Sequence, residues 1–322
     1  MTGKAVGRIV VTGGAGFVGS HLCEALLERG NEVVCVDNLS SGRMSNIAPF
    51  TDRAGFEFIE ADIRHKPSIA GSINGILHFA SLASPPEYLA HPLMTLETGS
   101  IGTQWCLDLA EANDARMVLA STSEIYGDPE VHPQTEDYWG NVNPIGIRSV
   151  YDEAKRYAEA ITMAYSRARG VNTGIVRIFN TYGPRMRPDD GRVVSNFINQ
   201  ALVGEPLTIY GDGSQTRSYC YVNDLVAGIV ALLDSNEVDP VNLGNPAERS
   251  VAELASLIVE RTKSTSEVSY HDLPLDDPTR RRPDISRAMA VLGWRPTVDL
   301  AEGLDHTIDH FRSILSADQA AL

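Results

Sequence analysis

The feature that most constrains the fold is a strand, a glycine-rich turn, a helix and a second strand at the start of the chain. The β-branched run from Arg8 to Thr12 is typical of a buried parallel strand. The turn from Gly13 to Gly19 follows, and the pattern then predicts a helix at Ser20 to Glu28 and a strand at Val33 to Val36. Asp37 closes that strand about 20 residues after the glycines, which is the spacing of a dinucleotide-binding βαβ unit.

The glycines have separate roles in such a unit. Gly13 permits the tight turn, Gly16 lets the backbone approach a pyrophosphate, and Gly19 lets the helix pack closely on the strand. The helix N-terminus then faces the phosphates, and the Asp37 carboxylate accepts from the ribose hydroxyls of the adenosine. A carboxylate repels a 2′-phosphate, so the sequence predicts NAD as the cofactor, in preference to NADP.

Strand and helix patterns continue to alternate after this unit. Strands are predicted at Phe56 to Glu60, Gly75 to Phe79, Met117 to Ala120 and Thr173 to Phe179, and long helices at Pro92 to Asn113 and Val150 to Arg169. The predicted fold class is therefore α/β, a doubly wound parallel sheet of the Rossmann type, whose ligands bind at the carboxyl ends of the strands.

The elements become shorter after Asn180. A strand at Pro240 to Leu243 is predicted to return to the main sheet, whereas Thr181 to Arg192 is predicted to be a loop and Ser218 to Val222 a strand. The sequence thus predicts a second, smaller interleaved substrate domain. The NAD-binding Rossmann domain is assigned to residues 1–180 plus 218–244, and the substrate domain to residues 181–217 plus 245–322.

Composition excludes several classes of partner. A formal net charge of −15 argues against nucleic acid or an anionic membrane, and no apolar run is long enough to span a bilayer. The four cysteines lie singly in apolar segments, as expected for buried thiols of a reducing compartment. His306 and His310 are one turn apart without an evident third ligand, so no metal is predicted. These features, with no predicted signal peptide, indicate a soluble cytoplasmic protein.

Tyr151 and Lys155 are four residues apart in the second long helical pattern and therefore lie on one face, one turn from each other. A phenol titrates near ~10, and a close ammonium group favours its phenolate form. Such a pair allows the tyrosine to act as a general base near neutral pH.

These motifs together resemble those of a known superfamily. The stretch Thr12 to Gly19, the Tyr151/Lys155 pair and Asn180 resemble the extended short-chain dehydrogenase/reductase superfamily that acts on nucleotide sugars. Longer stretches resemble one member, the UDP-glucuronate decarboxylase (UDP-xylose synthase) family, across Arg8 to Ser313. They are residues 119–133, 136–140, 177–186, 190–197, 211–217 and 282–284.

The resemblance implies a reaction for the site. Tyr151 would take the proton of the sugar C4 hydroxyl while C4 gives hydride to NAD, Lys155 would lower the tyrosine pKa and bind the nicotinamide ribose, and Thr122 would hydrogen-bond the same hydroxyl. A 4-keto sugar with a carboxylate on C5 is a β-keto acid and loses carbon dioxide readily. The implied function is NAD-dependent decarboxylation of UDP-glucuronate to UDP-xylose or the UDP-4-keto-pentose.

Ser123 and Glu124 favour a decarboxylase over the related 4,6-dehydratases. Related 4,6-dehydratases carry Asp-Glu there, and a serine cannot replace the aspartic acid that expels the C6 hydroxyl. Glu124 is the candidate to orient the carboxylate region or assist acid/base chemistry, and Arg281 the candidate to handle the C5 carboxylate and its protonation. Arg281 lies in the family-like loop Asp276 to Asp284. A 4-epimerase, a 4,6-dehydratase and a non-catalytic NAD-binding protein remain alternatives, and the preferred base and final product stay open.

The resemblance assigns three groups of residues. The catalytic candidates are Thr122, Ser123, Glu124, Tyr151, Lys155 and Arg281. The residues predicted to contact NAD are Gly13, Gly16, Phe17, Val18, Gly19, Asp37, Asn38, Gly42, Asp62, Ile63, Ser81, Thr98, Ala120, Tyr151, Lys155 and Arg192. Those predicted to contact the nucleotide sugar are Asn180, Arg185, Val194, Asn196, Tyr210, Arg217 and Arg281.

Within the third group, Arg217 is the leading candidate for the diphosphate and Tyr210 is expected to stack on the base. The superfamily also implies a homodimer, in which the helix predicted at Pro92 to Asn113 and the Tyr151 helix pair with their two-fold mates. Leu107 and Ala158 are expected to line that interface.

Three residues depart from the family pattern. Glu97, Gly99 and Trp105 replace residues that are often lysine, asparagine and asparagine. We expect these changes to affect nucleotide preference or the hold on the intermediate.

Overall fold

A seven-stranded parallel sheet forms the centre of the protein, in the order β3-β2-β1-β4-β5-β6-β11. The computed structural model describes residues 7–272 and 280–320, with side chains up to residue 316. The strands are β1 Arg8–Thr12, β2 Glu32–Asp37, β3 Phe56–Glu60, β4 Gly75–His78, β5 Arg116–Thr122, β6 Thr173–Ile178, β7 Thr181–Tyr182, β8 Leu207–Tyr210, β9 Thr216–Ser218, β10 Cys220–Tyr221, β11 Pro240–Leu243, β12 Glu248–Ser250, β13 Val268–His271 and β14 Arg280–Arg281.

Helices cover both faces of the main sheet. They are α1 Phe17–Glu28, α2 Met44–Ile47, α3 Pro85–Ala90, α4 Pro92–Glu97, α5 Thr103–Asn113, α6 Ser149–Arg169, α7 Val193–Val203, α8 Val222–Asp234, α9 Val251–Thr262, α10 Ser286–Leu292 and α11 Leu300–Ala320. Alternate residues of each strand point to opposite faces of the sheet. Val11 joins the core cluster with α1 and α8, whereas Val10 joins the one with α5 and α6. The predicted doubly wound sheet is confirmed, and β11 returns to it beside β6.

Helix α1 begins at Phe17, three residues before the predicted start at Ser20. Gly16, its N-cap, is in extended conformation, so the helix starts inside the glycine turn. The backbone N–H groups of the first turn of α1 are therefore placed at the end of β1, where a dinucleotide-binding fold needs them.

The prediction of one continuous helix at Pro92 to Asn113 is wrong, because that helix is interrupted. A π-helical segment, Thr98–Gly102, separates α4 from α5. Gly99 lies in that segment, and a Cβ there would be 2.8 Å from the Cβ of Ala154 on α6. The close approach of the two helices requires glycine, which a periodicity of apolar residues cannot reveal.

The strand predicted at Ser218 to Val222 is also wrong, because the chain changes sheets within it. Strand β9 pairs with β12 and β14, strand β10 pairs with β7, and Val222 already begins α8. Strand β7 lies in the segment predicted to be a loop. The β7–β10 pair joins one segment from each predicted domain, and the division into 1–180 plus 218–244 and 181–217 plus 245–322 stays a prediction.

Three smaller sheets flank the cleft described below. They are β10-β7, β12-β9-β14 and β13-β8. In the three-stranded sheet, Arg217 lies between Arg249 and Arg281 in register. Among the described residues, no helix is long and apolar enough to cross a membrane.

Candidate active site

An open cleft of about 1620 Å³ runs along the carboxyl ends of the central strands. It brings together most of the predicted site residues, which come from six separate strand ends and helix starts. Those lining it are Gly13, Gly16, Phe17, Val18, Gly19, Asp37, Asn38, Asp62, Ile63, Ser81, Thr98, Ala120, Thr122, Ser123, Glu124, Tyr151, Lys155, Asn180, Arg185 and Arg192.

Two glycines of the turn lie where a side chain has no space. Gly13 has φ +71°, and a Cβ there would be 2.7 Å from the backbone nitrogen of Ala80. A Cβ on Gly19 would be 2.0 Å from the carbonyl oxygen of Gly13. Positions 13 and 19 therefore require glycine, and the backbone of the turn forms a cradle that suits a pyrophosphate.

Asp37, at the end of β2, holds this cradle in place. Its carboxylate accepts from the backbone N–H of Ala15 at 3.0 Å and of Leu39 at 2.8 Å. A Cβ on Gly42 would be 2.8 Å from Asp37 Oδ1, which explains glycine at that position. Burial raises the pKa of Asp37, and the two backbone donors oppose this shift. Each oxygen keeps a lone pair for a ribose hydroxyl.

Asp62 and Asn38 line the part of the cleft where the adenine is predicted to bind. Asn38 Nδ2 donates to Asp62 Oδ2 at 3.0 Å, and the hydrogen bonds from Arg64 hold the pKa of Asp62 at about 2. Arg64 also donates to Glu97 at 2.6 Å. Glu97 therefore faces Arg64 and does not line the cleft. Trp105 is buried in the core between α5 and the sheet.

The expected effects of Glu97 and Trp105 on nucleotide preference stay predictions. Glu97 pairs with Arg64, which also pairs with Asp62, and Trp105 contributes to packing. Gly99 has the steric role described for the π-helical segment.

Tyr151 and Lys155 lie in the cleft on the first turns of α6, both nearly fully buried. Burial raises the pKa of Tyr151, and a hydrogen bond from Thr122 opposes that shift. Lys155 Nζ lies 5.7 Å from the ring centroid of Tyr151 and donates to the carbonyl oxygen of Ala120 at 2.8 Å. Burial lowers the pKa of Lys155 to about 8. Lys155 was expected to lower the pKa of Tyr151, but the largest influence on that pKa is burial, which raises it.

A second tyrosine, which the sequence analysis did not single out, packs on the first. The rings of Tyr88 on α3 and Tyr151 are stacked, with centroids 5.2 Å apart and planes 10° from parallel. This stacking fixes the plane of the Tyr151 ring. Burial raises the pKa of Tyr88 to about 12, so its phenol stays neutral.

Glu124 and Arg281 form a bidentate ion pair. Arg281 Nη1 and Nη2 donate to Glu124 Oε1 and Oε2 at 2.5 and 2.8 Å, and Arg148 Nη2 donates to Oε2 at 3.1 Å. Burial alone would raise the pKa of Glu124, but the two guanidinium groups bring it to about 2. Arg148 was missed by the sequence analysis, although it immediately precedes α6. Residues Asp276 to Thr279 of the arginine-bearing loop lie outside the described residues.

Comparison with known proteins gives the family. A sequence model of the NAD dependent epimerase/dehydratase family matches residues 9–244. UDP-glucuronic acid decarboxylase 1 of Xenopus tropicalis is 54% identical over 308 residues, which are 96% of this chain and 73% of that protein. The chain belongs to the UDP-glucuronic acid decarboxylase family.

Solved structures of other activities share the fold of this decarboxylase family member at lower identity. A dTDP-glucose 4,6-dehydratase from Streptomyces venezuelae, with NAD and TYD bound, has a TM-score of 0.88 at 29% identity and covers 96% of this chain and 98% of its own. A UDP-glucuronic acid 4-epimerase from Bacillus cereus, in complex with UDP-glucuronic acid and NAD, has a TM-score of 0.85 at 27% identity, covering 95% and 99%. The cradle and the Asp37 carboxylate fit the NAD for which the wider family is named.

Two of the arginines predicted to line the site form ion pairs with carboxylates of the chain. Arg185 lines the cleft and donates to Glu24 on α1 at 2.6 Å, whereas Arg192 lines it and pairs with Asp190. Arg217 is buried in the sheet beside Arg281. Both cleft arginines thus have carboxylate partners from the chain.

Besides Arg217 and Arg281, three more predicted substrate contacts do not line the main cleft. Val194 packs in the core of the α7 side, and Asn196 Nδ2 donates to the carbonyl oxygen of Gly191 at 3.2 Å. Tyr210 ends β8 with 45% of its surface exposed, its ring centroid 6.0 Å from that of His271. Its exposure leaves a ring face open for stacking.

Proposed function

We propose that this chain decarboxylates UDP-glucuronate with NAD as cofactor. The observation that carries the proposal is the pairing of Arg281 with Glu124, which lines the same cleft as Tyr151 and Lys155. A reaction that only oxidises and reduces C4 has no need for a buried bidentate arginine beside the tyrosine. The 54% identity to the Xenopus tropicalis decarboxylase supports the same conclusion.

The first step is the removal of a proton from the C4 hydroxyl of the sugar. Tyr151 is the proposed base, and Thr122, which already hydrogen-bonds it, is the proposed partner of the same hydroxyl. NAD, when bound, supplies the acceptor for the hydride of C4 and a positively charged nicotinamide ring. Lys155 is proposed to bind the nicotinamide ribose. The stacked ring of Tyr88 keeps the phenol of Tyr151 in one plane.

The second step is the loss of carbon dioxide from C5. The bond between C5 and the carboxylate carbon breaks, its electron pair forms an enolate with the C4 carbonyl, and a proton then adds to C5. Arg281 is proposed to hold the departing carboxylate. Glu124, whose pKa is lowered to about 2, stays ionised and orients Arg281; it is not a proton donor at neutral pH.

The nucleotide is proposed to bind along the cleft beyond the sugar. Asn180 and Arg217 are the proposed contacts of the sugar and the diphosphate, with Tyr210 stacking on the base. Gly13 to Gly19 and Asp37 are proposed to hold the NAD pyrophosphate and ribose. Arg192 is proposed to lie on the cofactor side, because its guanidinium carbon lies 5.8 Å from the ring centroid of Phe17, the first residue of α1.

A 4-epimerase or a 4,6-dehydratase is the alternative of the same fold. Ser123 provides no carboxylic acid to expel a C6 hydroxyl, which argues against the dehydratase. Incubation with NAD and UDP-glucuronate, followed by mass spectrometry of the nucleotide sugar, tests the proposal. We expect the mass to fall by one carbon dioxide, as a pentose or 4-keto-pentose. An unchanged mass with inverted C4 stereochemistry would establish the epimerase instead.

A homodimer is the proposed assembly. Leu107 and Ala158, which were expected at its interface, are fully buried within the chain and cannot line it. The helices concerned expose other apolar side chains, with Leu93 72%, Ile101 41% and Tyr157 47% exposed. Sedimentation should show a dimer at micromolar concentration, and Leu93→Glu should shift it to monomer; a wild-type monomer would contradict the assembly.

The cytoplasm is the proposed location. All four cysteines are free and buried thiols, which suits a reducing compartment. Cell fractionation that places the protein in an oxidising compartment would contradict this.

A further inference from the structure

A buried glutamine, Gln134, contacts the backbone of the arginine segment, residues 280–284, which carries Arg281. Gln134 lies in the loop between β5 and α6 and has 0% of its surface exposed. Its backbone N–H donates to the carbonyl oxygen of Arg282 at 2.9 Å, and its carbonyl oxygen accepts from the N–H of Asp284 at 2.8 Å. These two hydrogen bonds form a parallel β-bridge between the loop and the arginine segment.

The side chain of Gln134 adds a third hydrogen bond to the same segment. Its Oε1 accepts from the backbone N–H of Arg282 at 2.8 Å, at the residue that follows Arg281. Its Nε2 donates to the carbonyl oxygen of Val131 at 2.8 Å, which fixes the orientation of the amide. Both polar ends of this buried amide are therefore used, and an apolar side chain in its place would leave the N–H of Arg282 without this acceptor.

Asn242 connects these contacts to the main sheet and to the turn of Glu124. It is fully buried on β11, and its Nδ2 donates to the carbonyl oxygens of Gln134 at 3.0 Å and of Asp284 at 3.2 Å. Its Oδ1 accepts from the phenol of Tyr126 at 2.8 Å. Tyr126 belongs to the same 3₁₀ turn as Glu124. A continuous set of hydrogen bonds thus runs from that turn, through Asn242 and Gln134, to the arginine segment.

The geometry of Arg281 depends on the place of this segment. Its guanidinium donates to both carboxylate oxygens of Glu124, at 2.5 and 2.8 Å, and a backbone shift of about 1 Å would disrupt such a contact. Strand β14, which contains Arg281, is two residues long and pairs with β9. The hydrogen bonds from Gln134 begin at the next residue, so they continue the support of the backbone directly after β14.

We propose that Gln134 is a positioning residue for the decarboxylation step, because it holds the backbone from which Arg281 reaches Glu124. The inference rests on the proposed function, in which Arg281 holds the departing carboxylate. Gln134 does not line the cleft, so it acts through Arg281 and not on the substrate. Its bond goes to the backbone of Arg282, so the replacement of the Arg282 side chain leaves this support intact.

Gln134→Met separates this role from a general loss of stability. Methionine has a similar length and volume, but its thioether is a weak acceptor and donates no hydrogen bond. In a single turnover of the NAD-loaded protein with UDP-glucuronate, we expect release of carbon dioxide to slow about tenfold, while NADH forms within about threefold of the parent rate. Equal slowing of both steps would overturn the proposal, because a merely structural role affects them alike.

Gln200→Met is the matched control. Gln200 on α7 makes the same two kinds of hydrogen bond, since its Nε2 donates to the hydroxyl of Thr208 at 2.8 Å and its Oε1 accepts from the backbone N–H of Thr208 at 3.1 Å. These contacts join α7 to β8 and do not involve the arginine segment. Both rates should stay within about twofold of the parent, and a selective loss of carbon dioxide release in this control would overturn the assignment to Gln134.

Arg281→Ala decides whether Gln134 acts through this arginine. A residue whose effect passes through a second residue has little effect once the second is removed. In the Arg281→Ala background, Gln134→Met should therefore change the release of carbon dioxide by less than about twofold. The slowing factors in the two backgrounds should differ by about threefold or more; a smaller difference, or no slowing in the parent background, would overturn the proposal.

A second variant covers a failure of the first to fold. If Gln134→Met does not purify folded, Gln134→Asn replaces it under the same criteria, because its amide is one carbon shorter and ends about 1.5 Å further from the N–H of Arg282. Failure of the proposed function is distinguishable, because the parent protein then releases no carbon dioxide from UDP-glucuronate.

Discussion

The two ends of the cleft are built in opposite ways. The cofactor end comes mainly from one continuous stretch, Gly13 to Asp37, and works by leaving out side chains, so that backbone groups reach the ligand. The sugar end is assembled from the turn after β5, the start of α6 and β14, and works by setting buried charges against one another. Steric constraint thus determines the residues of the cofactor end, whereas charge compensation determines those of the sugar end.

The largest expected effect comes from the residue at which the two ends meet. Tyr151→Phe removes only a hydroxyl, so the stacked ring on Tyr88 and the NAD cradle should persist. We expect turnover to fall by about 10³-fold, because the proton of the C4 hydroxyl has no acceptor. Absorbance of NADH after mixing with UDP-glucuronate measures this. Continued formation of NADH at the parent rate would show that Tyr151 is not the base.

Because buried charges compensate one another at the sugar end, removal of the Glu124 charge should destabilise the fold. The pKa of Glu124 is lowered from 4.5 to about 2, so its ionised form stabilises the fold above about pH 4.5, and this is lost as pH falls through about 2. Glu124→Gln should therefore reduce the free energy of unfolding by about 3 kcal/mol at neutral pH. Denaturant titration should show the gap between parent and variant narrowing below about pH 4. A gap independent of pH would contradict this account.

The cofactor end should respond more weakly to the loss of its one carboxylate. Asp37→Ala removes the proposed acceptor of the ribose hydroxyls, so NAD should bind about tenfold more weakly. The preference for NAD over NADP should also decline, since the repulsion of a 2′-phosphate is lost. Titration with both cofactors measures this, with UDP affinity as the control. Unchanged NAD binding would remove Asp37 from the ribose contact.

The smallest effect is expected outside both ends. The Glu97 carboxylate faces Arg64 and its side chain is half-exposed, with a relative exposure of 49%. Glu97→Gln should change the KM for UDP-glucuronate by less than about twofold. A larger change would show that the pair of Arg64 and Asp62 transmits charge to the substrate.

The sequence predicted most of the residues that line the glycine-rich end of the cleft, because its determinants are local. Gly13, Gly19 and Asp37 lie in one stretch whose spacing follows from the turn itself. The main strands were placed within two residues of their observed ends for the same reason, since each is a short β-branched run bounded by polar residues or glycine.

The sugar end was predicted less completely, because its partners are distant in sequence. Arg281 and Glu124 were identified through family resemblance, 157 positions apart. The second arginine on Glu124 and the stacked Tyr88 depend on how α3 and α6 pack, which no local pattern encodes. Likewise, the sequence led us to expect that Lys155 lowers the pKa of Tyr151, but it could not show that burial raises this pKa, because the degree of burial is a property of the assembled fold.

Arg281 tests the central claim most directly, with its neighbour as a control. The side chain of Arg281 is 7% exposed and holds Glu124, whereas that of Arg282 is 39% exposed and lies 3.7 Å from Glu248. In a single turnover with UDP-glucuronate, NADH formation and release of carbon dioxide are followed together. The account predicts that Arg281→Ala still reduces some NAD but releases carbon dioxide about 100-fold more slowly, while Arg282→Ala stays within about threefold of the parent. Undiminished release of carbon dioxide in Arg281→Ala, or equal small effects in both variants, would contradict it.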